Sequence, residues 1–193
     1  TIHIADWKND ADGAYTMIHD DYGDPGVDGI WQYADTICSN RGIKFTFGAI
    51  ASSCEIERNI NGYLSPYSYA KNVMMAQHNH EIISHSHTHN CAVGNALWPG
   101  GGACDDGPTF WGENSSYPDF NTQLVTAHNS ITNNTGFEPV YYIFPYDRFT
   151  TLANNKLKDL GYIGSRTGWS GPYSPDANFH REGYENSDES SFF

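Results

Sequence analysis

The chain has 193 residues, 38% hydrophobic and 15% aromatic, which suits one globular domain with a sizeable core. Its formal net charge of −13, with only 10 Lys and Arg spread along the chain, argues against nucleic acid or an anionic membrane surface as a partner. No apolar run reaches the roughly 18 residues that span a bilayer, and the opening TIHIADWKND lacks the basic-then-apolar pattern of a signal peptide, so a soluble chain is expected.

In chain order, AYTMIHDDYGD at 14–24 reads as a strand that ends in His19, Asp20 and Asp21. Two adjacent carboxylates at the end of a buried element repel each other and lose hydration, so their placement asks for a chemical reason. Ile30, Tyr33, Ala34 and Ile37 then recur at helical spacing, with Gly42 as a stop. IKFTFGAI at 43–50 is β-branched and aromatic, a strand. A helix over 65–80 opens on Ser65 and Pro66 as cap and first-turn residue, and EIISHS at 81–86 is the next strand.

A Gly- and Pro-rich insertion at about 90–118 precedes a helix over 119–136 capped by Asp119 or Asn121. A strand over 139–147, a helix over 151–161 stopped by Gly161 and a strand over 162–168 follow. Residues 171–193 form a tail without periodicity, so the expected domain is 1–193, incomplete at its C-terminus if the native chain continues. Strands alternating with helices predict an α/β fold of parallel strands joined by helical crossovers, in a barrel or an open sheet. In such folds the working residues gather where a strand turns into the next helix. That rule marks HDD after the first strand, HSHTH after the third and PYDR after the fourth.

HSHTH puts His85, His87 and His89 in one short segment. A straight strand would point all three to one face; a turn after His85 would let His85 and His89 converge, and the sequence leaves both open. Two imidazoles plus one carboxylate from Asp20 or Asp21 make a three-ligand set with positions left for water and substrate, the layout of a catalytic zinc site. The paired aspartates then make sense, since a dication offsets the charge of one while the other stays a free base.

Four cysteines without a CxxC pair exclude a zinc ribbon or a thioredoxin-type site. Their even number suits two disulfides, Cys91 to Cys104 and Cys38 to Cys54, and a secreted protein whose signal has been removed. Four buried thiols in a cytosolic protein are the alternative. Sequons at Asn114 and Asn133 are compatible with export.

MIHDD, then HSHTH, then FPYD, in that order and between these elements, resembles the polysaccharide deacetylase family, the NodB-type carbohydrate esterases of family 4. The resemblance spans about residues 14 to 170 and implies a distorted parallel (β/α) barrel. It implies Asp20 as catalytic base and Asp21, His85 and His89 as ligands of one divalent metal ion, Zn2+ foremost, with Co2+, Ni2+ or Mn2+ as alternatives. Ser86 falls where the family braces the metal loop with a hydroxyl. Pro145 and Tyr146 match the third motif, whose tyrosine N–H helps form the oxyanion hole; the motif's arginine is replaced by Ile143, leaving Arg148 or Arg166 to orient the base. Trp169 resembles the aromatic wall of the fourth motif. The Leu-x-His motif that supplies the acid is absent, with His180 as a substitute candidate. CDDGPTF at 104–110 mimics the first motif but lacks a preceding apolar strand, so Asp105 and Asp106 are read as loop residues.

The resemblance implies a hydrolase that removes acetyl groups from an N- or O-acetylated glycan by attack of a metal-bound water. Trp98, Trp111, Tyr117 and Trp169 are expected near a sugar-binding groove, because aromatic faces pack on pyranose rings, and a monomer is expected. The rivals are a non-catalytic carbohydrate- or metal-binding descendant, another amide or ester hydrolase on the scaffold, and a non-haem iron oxygenase, which shares the ligand set but usually an all-β scaffold.

Overall fold

The structure is a computed structural model and describes residues 17–23, 30–92, 111–147, 149–167, 180–182 and 189–192. Within them lies one seven-stranded sheet in the order β1-β2-β3-β4-β5-β7-β6. The strands are β1 (Ile18–Tyr22), β2 (Thr46–Ala49), β3 (Glu81–Ser84), β4 (Tyr141–Ile143), β5 (Gly164–Thr167), β6 (His180–Glu182) and β7 (Glu189–Phe192). β1 to β5 pair in parallel and in sequence order, the arrangement expected from alternating strands and helices. Uniformly handed crossovers between consecutive strands keep the helices on one side, and the sheet curls as a distorted half-barrel with its other side inward. β7 and β6 add an antiparallel pair beyond β5. They arise from the aperiodic tail, where short edge strands leave no sequence pattern of their own.

The helices are α1 (Asp35–Asn40), α2 (Ala51–Cys54), α3 (Tyr69–Gln77), α4 (Pro118–Asn121), α5 (Ala127–Thr135) and α6 (Thr151–Asp159). Ser68, not Ser65, caps α3: its side chain accepts from the Lys71 N–H, while Ser65 and Pro66 sit in the turn before it. The expected caps Asp119 and Asn121 lie inside α4, which follows Tyr117 and starts on Pro118, where a missing N–H costs nothing. Between α4 and α5 the chain widens into a π turn, Thr122–Thr126. Gly136 ends α5 at φ 76, a left-handed position that favours glycine.

Side-chain alternation sorts the core. Phe47, Ile82 and Tyr142 face the helices, joining Tyr22, Phe45, Met75 and Ile131 in one cluster and Trp111, Leu124, Phe144 and Leu157 in another. Ile83, Tyr141 and Ile143, with Ile18 beside them, fill the inner side. Cys38 and Cys54 are free thiols, which corrects the expected bridge between them. Both are buried in the helix-side cluster, where thiols act as small apolar groups. Cys91 is buried and is not one of the free thiols; its expected partner Cys104 lies outside the described residues. Among the described residues no helix is long and apolar enough to cross a membrane.

Candidate metal centre and active site

The aspartates lie within β1 rather than at its end. The β1–β2 register jumps between His19 and Tyr22, where three steps along β1 match two along β2, from Phe47 to Ala49. This is a bulge, and Asp21 occupies it at φ 58. In a regular strand Asp20 and Asp21 would face opposite sides. Here Asp20 shares the inner side with Ile18, and the extra residue turns Asp21 inward as well.

His85 follows Ile83 by two positions and inherits the same inner side; its N–H donates to the Ala49 carbonyl at 2.9 Å. The chain then turns rather than continuing straight. Ser86 and His89 adopt φ 67 and φ 62, and the Ser86 hydroxyl accepts from the His89 N–H at 3.0 Å. The first N–H groups of α2, which lack helical acceptors, hold the turn from below: Ala51 donates to Ser86 O at 3.1 Å and Ser52 to His87 O at 2.9 Å. His85 and His89 therefore converge, their Nε2 atoms 3.0 Å apart. His87 points elsewhere, its Nε2 3.3 Å from Glu55. Asp21, Ser86, His89 and Tyr146 are four of the five non-glycine residues at positive φ among those described. Each such conformation costs on the order of 1–3 kcal/mol and survives only where surrounding contacts enforce it, which singles out this corner of the fold.

Three electron-pair donors meet there. Asp21 Oδ1 lies 3.1 Å from His85 Nε2 and 2.9 Å from His89 Nε2, and all three ligand atoms fall within 4.8 Å of one another. His85 Nδ1 is 3.0 Å from the Ile143 carbonyl, which can only accept, so Nδ1 carries the proton. His85 thus turns its Nε2 toward Asp21 and His89. Two imidazole nitrogens and a carboxylate oxygen so disposed fit a divalent cation of the zinc type, and the bond to Ile143 is the kind of outer contact that orients a ligating imidazole. Hydrogen bonds from His85 and then His89 hold the Asp21 carboxyl well below the usual carboxylate range, against the opposing effect of burial.

Asp20 is held differently. Its Oδ2 accepts from the guanidinium of Arg166 on β5, while its Oδ1 is buried with no partner. Arg166 is two residues beyond Gly164 and pairs with Ile143, which puts it on the inner side facing β1. Of the two arginines expected to orient the base, Arg166 meets Asp20, and Arg148 lies outside the described residues.

The family model for polysaccharide deacetylases matches residues 11–164. The chain belongs to that family. Solved structures similar to this deacetylase-family chain include the Streptococcus pyogenes deacetylase PplD in complex with acetate, at TM-score 0.56 and 14% identity, covering 79% of this chain and 54% of that one. A de-N-acetylase from Aggregatibacter actinomycetemcomitans matches at TM-score 0.55 and 17% identity over 78% and 61%. BA3943, a carbohydrate esterase family 4 pseudoenzyme from Bacillus anthracis, matches at TM-score 0.51 and 14% identity over 78% and 41%. At these identities the likeness is one of fold, and the chain spans about half the length of these proteins. No curated protein matches the sequence significantly.

Of the other residues expected at a polysaccharide deacetylase site, Pro145 is buried, and Tyr146 stands at φ 55 with its ring 4.8 Å from that of His89. Trp111 is not a groove residue: it is fully buried, stacked on Phe144, and its indole donates to the Asn90 carbonyl at 2.8 Å. Its ring fills the helix-side core, where burying an aromatic contributes more than a solvent-facing platform would. Tyr117 is half-buried beside α4, while Trp98, Trp169, Asp105 and Asp106 lie outside the described residues. His180 is in β6, at its pairing with Phe192 of β7.

Two contributors carry little or no signal in the sequence. Gly48 sits on the inner side of β2, where an added Cβ would lie 2.9 Å from Ile143 Cδ1 and 3.1 Å from His85 Cβ. Gln123 in the π turn reaches the backbone of the metal loop. A glycine inside a strand hints at close approach, whereas a glutamine in a helical pattern carries no such hint.

Proposed function

We propose that this chain is a metal-dependent hydrolase that removes acetyl groups from an N- or O-acetylated polysaccharide or oligosaccharide. The reading rests on the unequal treatment of two neighbouring carboxylates. Asp21 is gripped by His85 and His89, whereas Asp20 is anchored by Arg166 through one oxygen and keeps the other buried and open. Asp21, His85 and His89 would hold the cation, Zn2+ by its match to imidazole and carboxylate donors, with Co2+, Ni2+ and Mn2+ as substitutes. When bound, such an ion acidifies a water molecule and polarises a carbonyl.

The chain's own residues serve proton removal from the water and stabilisation of the oxyanion. Asp20 Oδ1 accepts the proton of the attacking water, a role for which a positioned base contributes about 10²–10⁴ in rate. Arg166 holds that carboxylate in place and aims it. The Tyr146 N–H donates to the developing oxyanion, a contribution of about 3 kcal/mol per donor in comparable sites. The acidic surface favours a neutral acetylated glycan over an anionic one. A secreted monomer with a Cys91–Cys104 disulfide completes the proposal.

Asp20→Asn should abolish acetate release from a panel of chitin oligomers, acetylated xylan and peptidoglycan while leaving metal content intact by elemental analysis. Acetate release that persists would refute the assignment of the base. A second reading, a non-catalytic glycan-binding descendant, has a precedent in the similarly folded Bacillus anthracis pseudoenzyme. It predicts glycan binding without acetate release from the unmodified chain.

A further inference from the structure

The turn from His85 to His89 has no regular secondary structure, yet both proposed ligands depend on its shape. Gln123 is buried at 1% exposure and reaches into this turn from the π turn Thr122–Thr126. Its Oε1 accepts from the N–H groups of His87 at 3.1 Å and Thr88 at 3.0 Å, and its Nε2 donates to the Thr88 hydroxyl at 2.6 Å. Two backbone donors on one side fix which end of the amide is oxygen. The backbone carbonyl of Gln123 accepts separately from the Tyr142 hydroxyl at 3.4 Å, next in β4 to the Ile143 carbonyl that holds His85.

The π turn Thr122–Thr126 makes this reach possible. A π turn widens the helix by one residue and shifts side-chain directions relative to an uninterrupted α-helix, a cost usually retained for a local purpose. Here Gln123 lies inside that turn, and its neighbour Leu124 still packs into the core.

We propose that Gln123 is a positioning residue for the metal centre. By tying His87 and Thr88 to the π turn, its side chain holds the left-handed turn that returns His89 to His85. This rests on the reading of Asp21, His85 and His89 as a cation site. Gln123 touches neither cation nor substrate and acts through the ligand-bearing backbone. Without it, two backbone N–H groups lose their acceptor, and the turn opens to pair them with water.

The test compares Gln123→Met, which keeps length and removes all three bonds, with Gln123→Glu. The glutamate retains both backbone acceptances and takes the third bond by making the Thr88 hydroxyl the donor. In metal-free protein, amide hydrogen exchange at His87 and Thr88 should accelerate at least tenfold in Gln123→Met and stay near wild type in Gln123→Glu. Competition against a chromophoric chelator should show Zn2+ affinity falling about 10–100-fold in Gln123→Met, with an altered Co2+ visible spectrum, and little change in Gln123→Glu. If Gln123→Met does not fold, Thr88→Val, which removes only the Nε2 bond, should still lower affinity severalfold. Unchanged exchange, or affinity within threefold of wild type in a folded Gln123→Met or in Thr88→Val, overturns the proposal. Failure of the unmodified chain to bind Zn2+ or Co2+ would refute the metal reading instead, while amide exchange would still decide the role of Gln123.

Discussion

Arg166 on β5 donates to the carboxylate of Asp20 on β1, joining two strands that are 146 positions apart in the chain. Among the described residues this is the guanidinium that reaches the proposed base. Arg166 is only 8% exposed, so its charge is matched where water is scarce. Arg166→Ala should leave a partly buried carboxylate unmatched and lower stability by about 1–3 kcal/mol. In the folded fraction, acetate release should fall by about 10²-fold, because a misaimed base loses near-attack geometry. Arg166→Lys should recover part of the rate, since a single ammonium replaces the charge but not the planar fork. Full activity of Arg166→Ala, measured by steady-state acetate release with metal content in parallel, would remove the arginine from the site.

The three histidines should separate cleanly. His85→Ala and His89→Ala each remove one of the three converging donors. Both should lose bound metal on dialysis and lose acetate release with it. His87→Ala removes a contact with Glu55 and leaves the three donors in place. It should keep metal content at wild-type stoichiometry by elemental analysis. Loss of metal in His87→Ala alone would mean that the turn coordinates through a different pair.

The order of strands and helices was readable because strands buried on both faces leave short continuous apolar runs, as in VYYIF, and helices leave their own spacing in the segments between. The place to look for a metal was readable because three histidines within five positions have few structural uses, while the choice of Asp21, His85 and His89 came from the family resemblance. Whether His85 and His89 converge depended on positive φ at Ser86 and His89, which no residue type there demands. The choice between Arg148 and Arg166 needed the β4–β5 register, since it is the pairing of Arg166 with Ile143 that fixes its side. Trp111 was misplaced because an indole in a long loop looks like a binding surface until its neighbours Phe120 and Phe144 are known. Cys38 and Cys54 share a core cluster, and sequence parity alone suggested a bond that packing does without.

Gly48 is where a minimal substitution should reach the metal centre from a neighbouring strand. A methyl group there meets Ile143 Cδ1 and His85 Cβ at distances of 2.9 and 3.1 Å. Isoleucine can rotate away in part, but His85 is fixed at both ends, by Ile143 O through Nδ1 and by Asp21 through Nε2. Overpacking of this kind costs about 1–3 kcal/mol. Gly48→Ala should therefore lower the thermal midpoint and weaken Zn2+ binding together. Gly62, at φ 79 with open space around it, is the control: Gly62→Ala strains the backbone and should lower the midpoint without affecting the metal. Equal metal affinity in Gly48→Ala and wild type, measured by chelator competition, would show that His85 adjusts without cost.

The free thiols give a test of folding and of the proposed disulfide in one experiment. Cys54 is 1% exposed, and burial pushes its thiol up to about 12 from the ordinary 9.0. The native protein therefore keeps this proton at pH values where the unfolded chain releases it. Proton binding favours the folded state here, so the contribution is constant below pH 9.0 and is lost progressively between 9.0 and about 12. Since the thiolate is the nucleophile, native Cys54 should react with a thiol reagent at pH 8 only as fast as the protein opens. Denaturation should release two thiols per chain, Cys38 and Cys54, if Cys91 and Cys104 are bridged, and four after reduction. Four thiols without reductant would rule out that bridge, and rapid native labelling of Cys54 would contradict its burial. A melting temperature that rises between pH 9 and pH 11 in wild type relative to Cys54→Ala would require the opposite linkage, with the thiol proton held more tightly in the unfolded chain than in the native core.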